Sequence, residues 1–210
     1  MSTLRVTAGS LRGRRVPVPP RGVRPTAERA RQAFFNIVGD RISGARFLDL
    51  FAGSGVMSFE AISRGAAAAT AVESDRKSAS TIERLGKEWN APVTAISCDV
   101  SAALPRLEGT FDIVYADPPY AFGRYDELLA AIGEQVKLSG GAIVAIEHRR
   151  RTGRGQDGLK PVPHGADRPL RDEGGSHPMW DGLQPVDRAT GLKFLRRAEY
   201  GEAWITFFSR

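Results

Sequence analysis

The chain has 210 residues, and its 41% hydrophobic content is enough for one buried core. Thirty lysines and arginines against 24 acids give a net charge of +6, which favours an acidic partner such as nucleic acid. A single cysteine excludes an intrachain disulfide and a zinc site built from several thiols. No apolar run reaches the roughly 20 residues that are needed to cross a bilayer. We therefore expect a cytoplasmic protein without a metal or a membrane partner.

The first 31 residues carry much of the positive charge, with eight arginines and one acid. In residues 1–24 the arginines alternate with glycines and prolines and show no apolar period that would join a core. We expect a basic N-terminal extension that binds nucleic-acid phosphates, and a solvated tail is the alternative. The candidate phosphate-binding residues are Arg12, Arg14, Arg15, Arg21, Arg29 and Arg31.

A helix is predicted from Ala27 to Val38, with Thr26 as its N-cap. Neighbouring helical positions point about 100° apart, so Phe34 and Phe35 should not both face inward. We expect Phe35 to be partly buried.

A buried strand over Arg46–Phe51 runs into the glycine turn Ala52-Gly53-Ser54-Gly55, and a helix from Val56 to Arg64 should follow. Glycines at such a crossing permit a positive φ and close backbone approach, which suits a nucleoside cofactor at the strand end. A dinucleotide fingerprint would have a third glycine where Ser58 stands, so the pattern argues against NAD.

The next short strand, Thr70–Val72, ends at Glu73, which lies 24 positions after Asp49. An acid at this place can accept hydrogen bonds from ribose hydroxyls, but it can also be a solvated strand-end residue. A helix from Asp75 to Trp89 and a strand from Val93 to Cys98 should follow.

Asp99 and Val100 come directly after that strand. Asp99 can be the N-cap of a predicted helix over Ser101–Leu107, and it can also take part in a site at the strand end. The two roles are compatible.

The most informative motif is Asp117-Pro118-Pro119-Tyr120, which follows the apolar strand Phe111–Ala116. The Asp117 carboxylate can accept one N–H of a planar amine. The carbonyl of Pro118, whose conformation is restricted by the following Pro119, can accept the other. The tyrosine ring can stack on the base that carries this amine. The motif therefore predicts a site for an exocyclic nucleobase amine.

A helix over Arg124–Val136 and a buried strand over Ala142–Ile146 follow the motif. From 149 to 191 the pattern breaks into a Gly/Pro-rich insertion, which we interpret as a mobile loop or a lid that contacts substrate. The chain ends in a predicted hairpin of Leu192–Ala198 and Ala203–Phe208. Alternating strands and helices predict a mostly parallel sheet with the site residues along its carboxyl edge.

The glycine turn, the strand-end acid and Asp-Pro-Pro-Tyr occur in this order about one βα unit apart, and together they resemble S-adenosylmethionine-dependent methyltransferases of exocyclic amines. Residues 9–17, 24–36 and 51–55 further resemble the bacterial 16S ribosomal RNA guanine-N2 methyltransferase family. This resemblance implies a Rossmann-like class I methyltransferase of the α/β class. Its seven-stranded, mostly parallel sheet would end in an antiparallel hairpin, in a catalytic domain of residues 25–210 that follows the RNA-binding extension 1–24.

The resemblance implies that S-adenosyl-L-methionine is the cofactor and that a monomer methylates one guanine of 16S ribosomal RNA, either naked or in the small ribosomal subunit. Asp117, Pro118, Pro119 and Tyr120 would be catalytic, and Asp99 would face the adenine amine. The residues that would bind the cofactor are Arg24, Thr26, Asp49, Phe51, Ala52, Gly53, Ser54, Gly55, Glu73, Asp99, Val100 and Asp117. An adenine-N6 methyltransferase that acts on DNA or RNA is the nearest alternative. A non-catalytic RNA-binding or ribosome-assembly factor is another, which the intact Asp-Pro-Pro disfavours.

Overall fold

The computed structural model describes residues 2–18, 25–119, 122–149, 186–187, 191–200 and 203–210. Arg21, Arg24, Tyr120 and nearly all of the predicted insertion lie outside this part, as does the side chain of Thr26. None of the helices within these ranges has the length and apolar character needed to span a membrane.

The fold begins with an antiparallel hairpin of β1 (Thr3–Arg5) and β2 (Arg15–Pro17). Val6, Leu11 and Val16 are buried in a cluster with side chains of the main domain. The prediction that this segment has no apolar pattern able to join the core was therefore wrong. Its apolar residues are five positions apart, a spacing that matches neither strand nor helix, and the hairpin fold turns them toward the same core.

Five α-helices follow within the described ranges. They are α1 (Pro25–Val38), α2 (Val56–Ser63), α3 (Arg76–Glu88), α4 (Val100–Ala103) and α5 (Tyr125–Gln135), with short 3-10 helices at Gly39–Ile42 and Leu104–Arg106. The first helix begins at Pro25, so Thr26 lies inside its first turn and is not the predicted N-cap. Proline is favourable at the first helical position because its fixed φ is already helical and no N–H is lost from the helix there.

Among the residues that the structure describes, the central sheet has eight strands. They are β3 (Arg46–Leu50), β4 (Ala68–Val72), β5 (Val93–Ile96), β6 (Phe111–Ala116), β7 (Leu138–Arg149), β8 (Val186–Asp187), β9 (Leu192–Tyr200) and β10 (Ala203–Ser209). Their order is β5-β4-β3-β6-β7-β10-β9-β8, and β10 lies antiparallel between β7 and β9. The predicted Rossmann-like sheet with its C-terminal antiparallel hairpin is confirmed, and β8 adds a two-residue eighth strand at the edge.

Helices cover both faces of the sheet, as the mostly parallel arrangement requires. Residues of α4 and α5 pack on one face, and residues of α1 and α2 pack on the other. Phe34 and Phe35 are both buried, contrary to the prediction for Phe35. Both rings pack against Phe47 of the sheet, with 6.2 Å between the ring centroids in each case, and the Arg64 guanidinium covers the Phe35 ring at 5.0 Å.

The strand order determines where a ligand can enter. From β3 the chain proceeds outward through β4 to β5, and it then returns to the other side of β3 as β6. The loops that follow β3 and β6 therefore diverge and leave a crevice at the carboxyl edge. The glycine turn follows β3 and the Asp-Pro-Pro motif follows β6.

Candidate active site

The glycine turn after β3 has a backbone that requires glycine. Gly53 and Gly55 have φ values of 56° and 77°, and Phe51 already has a positive φ of 64°. The Gly55 N–H donates to the Ala52 carbonyl at 2.7 Å, which closes the turn. A Cβ atom on Gly55 would lie 2.6 Å from Cγ1 of the buried Ile82, so the turn packs directly against α3.

Glu73 follows β4 and lies beside this turn, as the sequence predicts. Its Oε2 accepts the Gly53 N–H at 2.7 Å, and its Oε1 accepts the Asp75 N–H at 2.7 Å. The half-buried carboxylate therefore joins the glycine turn to the start of α3. Ser54 is also half-buried, whereas Ala52 is buried.

Asp49 does not lie at the rim of the crevice as predicted, because its side chain is only 1% exposed. Its Oδ2 accepts hydrogen bonds from the Ser58 N–H at 3.1 Å and the Ser58 hydroxyl at 2.7 Å. Burial raises the pKa of Asp49 to about 7, although both bonds from Ser58 lower it. The carboxylate thus holds the start of α2 beneath the turn.

Asp99 is the N-cap of α4, which confirms one of its two predicted roles. Its Oδ1 accepts both the Ser101 N–H at 2.8 Å and the Ser101 hydroxyl at 2.7 Å. These bonds lower the pKa of the exposed Asp99 carboxyl. Val100 is buried in the core beneath α4, so its side chain does not line the rim.

The Asp-Pro-Pro motif is tied to the glycine turn through the backbone. The Asp117 N–H donates to the Leu50 carbonyl at 3.3 Å, which joins the ends of β6 and β3. The Asp117 side chain is exposed, Pro118 is buried and Pro119 is exposed. The Phe122 N–H donates to the Pro119 carbonyl at 2.8 Å, so Phe122 lies next to the motif.

Two aromatic rings link the motif to the glycine turn, and one of them, Phe122, was not predicted from the sequence. Phe122 packs edge-on against Phe51, with 5.5 Å between the ring centroids. The Arg124 guanidinium lies 5.4 Å from the Phe122 ring and helps to lower the pKa of Asp99. No motif marks Phe122 or Arg124, and only their position just after Asp-Pro-Pro could have indicated them.

A second overlooked pair lies beside Asp117 on β6 and β7. The buried Tyr115 hydroxyl donates to Glu147 Oε2. Burial raises the pKa of the Glu147 carboxyl, and it raises that of the Tyr115 hydroxyl even further with the help of the neighbouring carboxylates. The strand predicted from the sequence, Ala142–Ile146, ends directly before Glu147, so the strand-end rule that indicated Glu73 would also have indicated Glu147.

The predicted phosphate-binding arginines divide into exposed and buried residues. Arg12, Arg14, Arg15 and Arg29 are exposed. Arg31 is only 3% exposed, so its assignment to the nucleic-acid surface is wrong.

Arg31 has internal partners. Its Nη2 donates to the Arg5 carbonyl at 2.9 Å, and its Nε lies 3.8 Å from Oε2 of the buried Glu60. The same Glu60 carboxylate accepts the Thr7 N–H at 2.8 Å and Arg64 Nε at 2.9 Å. The N-terminal hairpin therefore bonds to both α1 and α2.

The described ranges hold no cluster of three or more potential metal ligands.

The family model described as Conserved hypothetical protein 95 matches residues 4–159 of the chain. Ribosomal RNA small subunit methyltransferase D of Escherichia coli K12 is 35% identical over 164 residues, which cover 76% of this chain and 79% of that protein. The Haemophilus influenzae protein of the same name is 32% identical over 151 residues, covering 69% and 78%.

Solved structures resemble the whole chain. One, named "Putative methyltransferase yhhF", from Escherichia coli, has a TM-score of 0.73 at 26% identity and covers 100% of this chain and 98% of that one. A T. thermophilus 16S rRNA N2 methyltransferase in complex with AdoMet and guanosine has a TM-score of 0.63 at 17% identity, covering 100% of this chain and 50% of that one. At this identity the second likeness shows a shared fold.

Proposed function

The chain belongs to the Conserved hypothetical protein 95 family, together with ribosomal RNA small subunit methyltransferase D, and we propose that it methylates the N2 amine of a guanine in 16S ribosomal RNA. S-adenosylmethionine is the methyl donor. The observation that carries this proposal is the hydrogen bond between the Asp117 N–H and the Leu50 carbonyl. It holds an amine-binding motif next to a nucleoside-binding turn at the point where the strand order reverses.

The residues around the glycine turn fit an adenosine-containing cofactor. The positive φ values of Gly53 and Gly55 allow close approach of a ligand to the backbone. Glu73 lies at the end of β4, where a carboxylate can accept ribose hydroxyls. Both cap bonds of Asp99 fall on Oδ1, so Oδ2 faces no cap donor and is suited to the adenine amine.

S-adenosylmethionine supplies a methyl group on a positively charged sulfur, so the protein's own task is alignment. In the proposed site the Asp117 carboxylate and the Pro118 carbonyl each accept one N–H of the target amine. This arrangement turns the nitrogen lone pair toward the methyl group, which is a proximity contribution. The carboxylate also stabilises the positive charge that develops on nitrogen. We assign stacking on the guanine to Tyr120, which lies outside the described residues.

The exposed arginines of the N-terminal segment support an RNA surface. Arg12, Arg14 and Arg15 lie on or near β2, and Arg29 lies on α1. In this proposal the extension of residues 1–24 contributes a basic RNA-binding surface to the methyltransferase domain of residues 25–210. A monomer would bind the 16S ribosomal RNA or a small-subunit assembly intermediate through phosphate contacts.

Two measurements test the proposed function. Titration calorimetry should detect binding of S-adenosylmethionine, and clear NAD binding with no S-adenosylmethionine binding would contradict the cofactor assignment. Mass spectrometry of small-subunit RNA should then show loss of one N2-methylguanosine in cells that lack the gene. Loss of N6-methyladenosine would favour the adenine alternative. An unchanged nucleoside profile, with subunit assembly impaired, would favour the non-catalytic assembly factor.

A further inference from the structure

Glu147 lies directly beside the motif that binds the amine. Ala116 of β6 pairs with Ile146 of β7 in parallel register. Asp117 directly follows β6 and Glu147 is the next residue of β7, so the two lie at the same height where the pairing of β6 with β7 ends. Both carboxylates help to raise the pKa of the buried Tyr115 hydroxyl, so both lie near that phenol.

One oxygen of Glu147 is held in place by a rigid neighbour. The Tyr115 hydroxyl donates to Oε2 of Glu147. The Tyr115 ring is only 4% exposed and packs edge-on against Phe34, with 5.0 Å between the ring centroids, so the hydroxyl cannot swing away. Oε1 is left for another donor, and within the described ranges no basic side chain forms an ion pair with Glu147. The Glu147 side chain is half-buried, so a ligand in the crevice can reach it.

Guanine and adenine differ at the position next to the reactive amine. Guanine carries an N1–H donor beside its N2 amine, whereas adenine has an N1 lone pair beside its N6 amine. Asp117 and the Pro118 carbonyl would accept an amine of either base, so they do not distinguish the two. A second carboxylate at the same edge accepts the N1–H of guanine and repels the lone pair of adenine.

We propose that Glu147 is the residue that selects guanine, by accepting the N1–H of the target base, and that Tyr115 is the residue that positions its carboxylate; this inference rests on the proposed function. The Tyr115 hydroxyl keeps Oε2 occupied and thereby directs Oε1 toward the crevice. The pair adds base selectivity to a motif that by itself recognises only an amine.

The test compares guanine with 2-aminopurine at the target position of the RNA or subunit substrate. 2-Aminopurine keeps the N2 amine but has a lone pair at N1. Wild-type protein should strongly prefer guanine, because an analogue that leaves a polar group of the site unpaired is rejected. The Glu147→Gln variant should lose about 10- to 100-fold in kcat/KM for guanine, as expected for a lost charge-assisted hydrogen bond. Its guanine preference should shrink by a similar factor, because the glutamine amide can donate to the N1 lone pair.

Other variants separate selection from folding. Tyr115→Phe should shrink the same preference by a smaller factor, while Glu147→Asp, which keeps the charge, should retain most of it. Glu134→Gln, at an exposed position of α5, is the matched control and should behave like wild type. Binding of S-adenosylmethionine and the melting temperature show whether each variant is folded. The missing O6 of 2-aminopurine affects all variants equally, so the change in preference isolates position 147.

The outcomes are distinguishable. If wild-type protein forms no N2-methylguanosine, the proposed function fails. If it does, but folded Glu147→Gln or Tyr115→Phe keeps the full preference for guanine over 2-aminopurine, the selection role is wrong and the proposed function stands.

Discussion

Carboxylates near the carboxyl edge of this sheet have different roles because their surroundings differ. Asp117 is exposed and can meet a ligand, whereas Asp49 is buried beneath the glycine turn. Asp99 combines exposure with a capping bond that lowers its pKa. Residues of the same type, each at or just past a strand end, therefore require different tests.

Replacing Asp117 should separate chemistry from cofactor binding. Asp117→Ala removes the acceptor of the target amine, so turnover should fall by at least about 100-fold, as for other well-placed electrostatic groups. Affinity for S-adenosylmethionine should stay nearly unchanged in calorimetry. Asp40→Ala, an exposed position in the 3-10 helix after α1, is the control. Near wild-type methylation of the RNA by Asp117→Ala would show that the acceptor role is wrong.

Replacing Asp49 should change how stability depends on pH. The folded-state pKa of about 7 lies above the ordinary value of 3.8, so between these pH values the folded protein binds more protons than the unfolded chain. The contribution of Asp49 to stability therefore falls as pH rises from about 4 to about 7. Asp49→Asn removes this loss, and its free energy of unfolding relative to wild type should rise by up to about 4 kcal/mol between pH 4 and pH 8. Urea denaturation at several pH values measures the difference, and a flat difference would contradict the buried, proton-binding carboxyl.

At the scale of elements, the glycine turn leaves little room for larger side chains. It is enclosed by Glu73 on one side and by Ile82 of α3 on the other.

Substitution of Gly55 tests how tightly the turn packs. Gly55→Ala combines a strained φ of +77° with a Cβ that meets the buried Ile82, and we expect a loss of about 2 to 5 kcal/mol in stability. Gly44→Ala is the matched control, because Gly44 has a φ of +71° and open space around its missing Cβ. It should lose only about 1 to 2 kcal/mol. Equal losses in chemical denaturation would mean that contact with α3 contributes nothing.

At the scale of the whole molecule, the N-terminal hairpin is part of the domain that carries the site. The Ser10 N–H donates to the Ser63 carbonyl at 2.9 Å, and Val6 and Val16 are fully buried. Removal of the hairpin would leave the buried Glu60 with fewer donors. A deletion would therefore change both RNA binding and folding. Substitution of exposed arginines tests RNA binding alone.

A triple substitution of Arg12, Arg14 and Arg15 by glutamine should weaken RNA binding with little effect on the cofactor. If all three contact phosphates, the slope of log affinity against log salt should shrink by about 2 to 3 units, at roughly 0.7 to 0.9 per contact. The control replaces exposed Arg41, Arg84 and Arg106, which changes the net charge equally. Equal slopes for the two triple variants would assign RNA recognition to another surface.

Local patterns in the sequence determined the mostly parallel sheet, the glycine turn and the capping role of Asp99. Each of these depends on residues only a few positions apart, such as Asp99 with Ser101. The Asp-Pro-Pro motif was recognisable for the same reason. The alternation of strands and helices then implied that Glu73, Asp99 and Asp117 share one edge of the sheet.

Only the tertiary structure decided the contacts between residues that are distant in sequence. Glu60 binds both Arg31 and Thr7, so Arg31 became a buried structural residue and the hairpin joined the core. Register between β6 and β7 brought Glu147 beside Asp117 across 30 positions of chain. A periodic pattern specifies which face of an element is apolar, but the partner of a buried charge depends on which elements pack together, and that is a property of the complete fold.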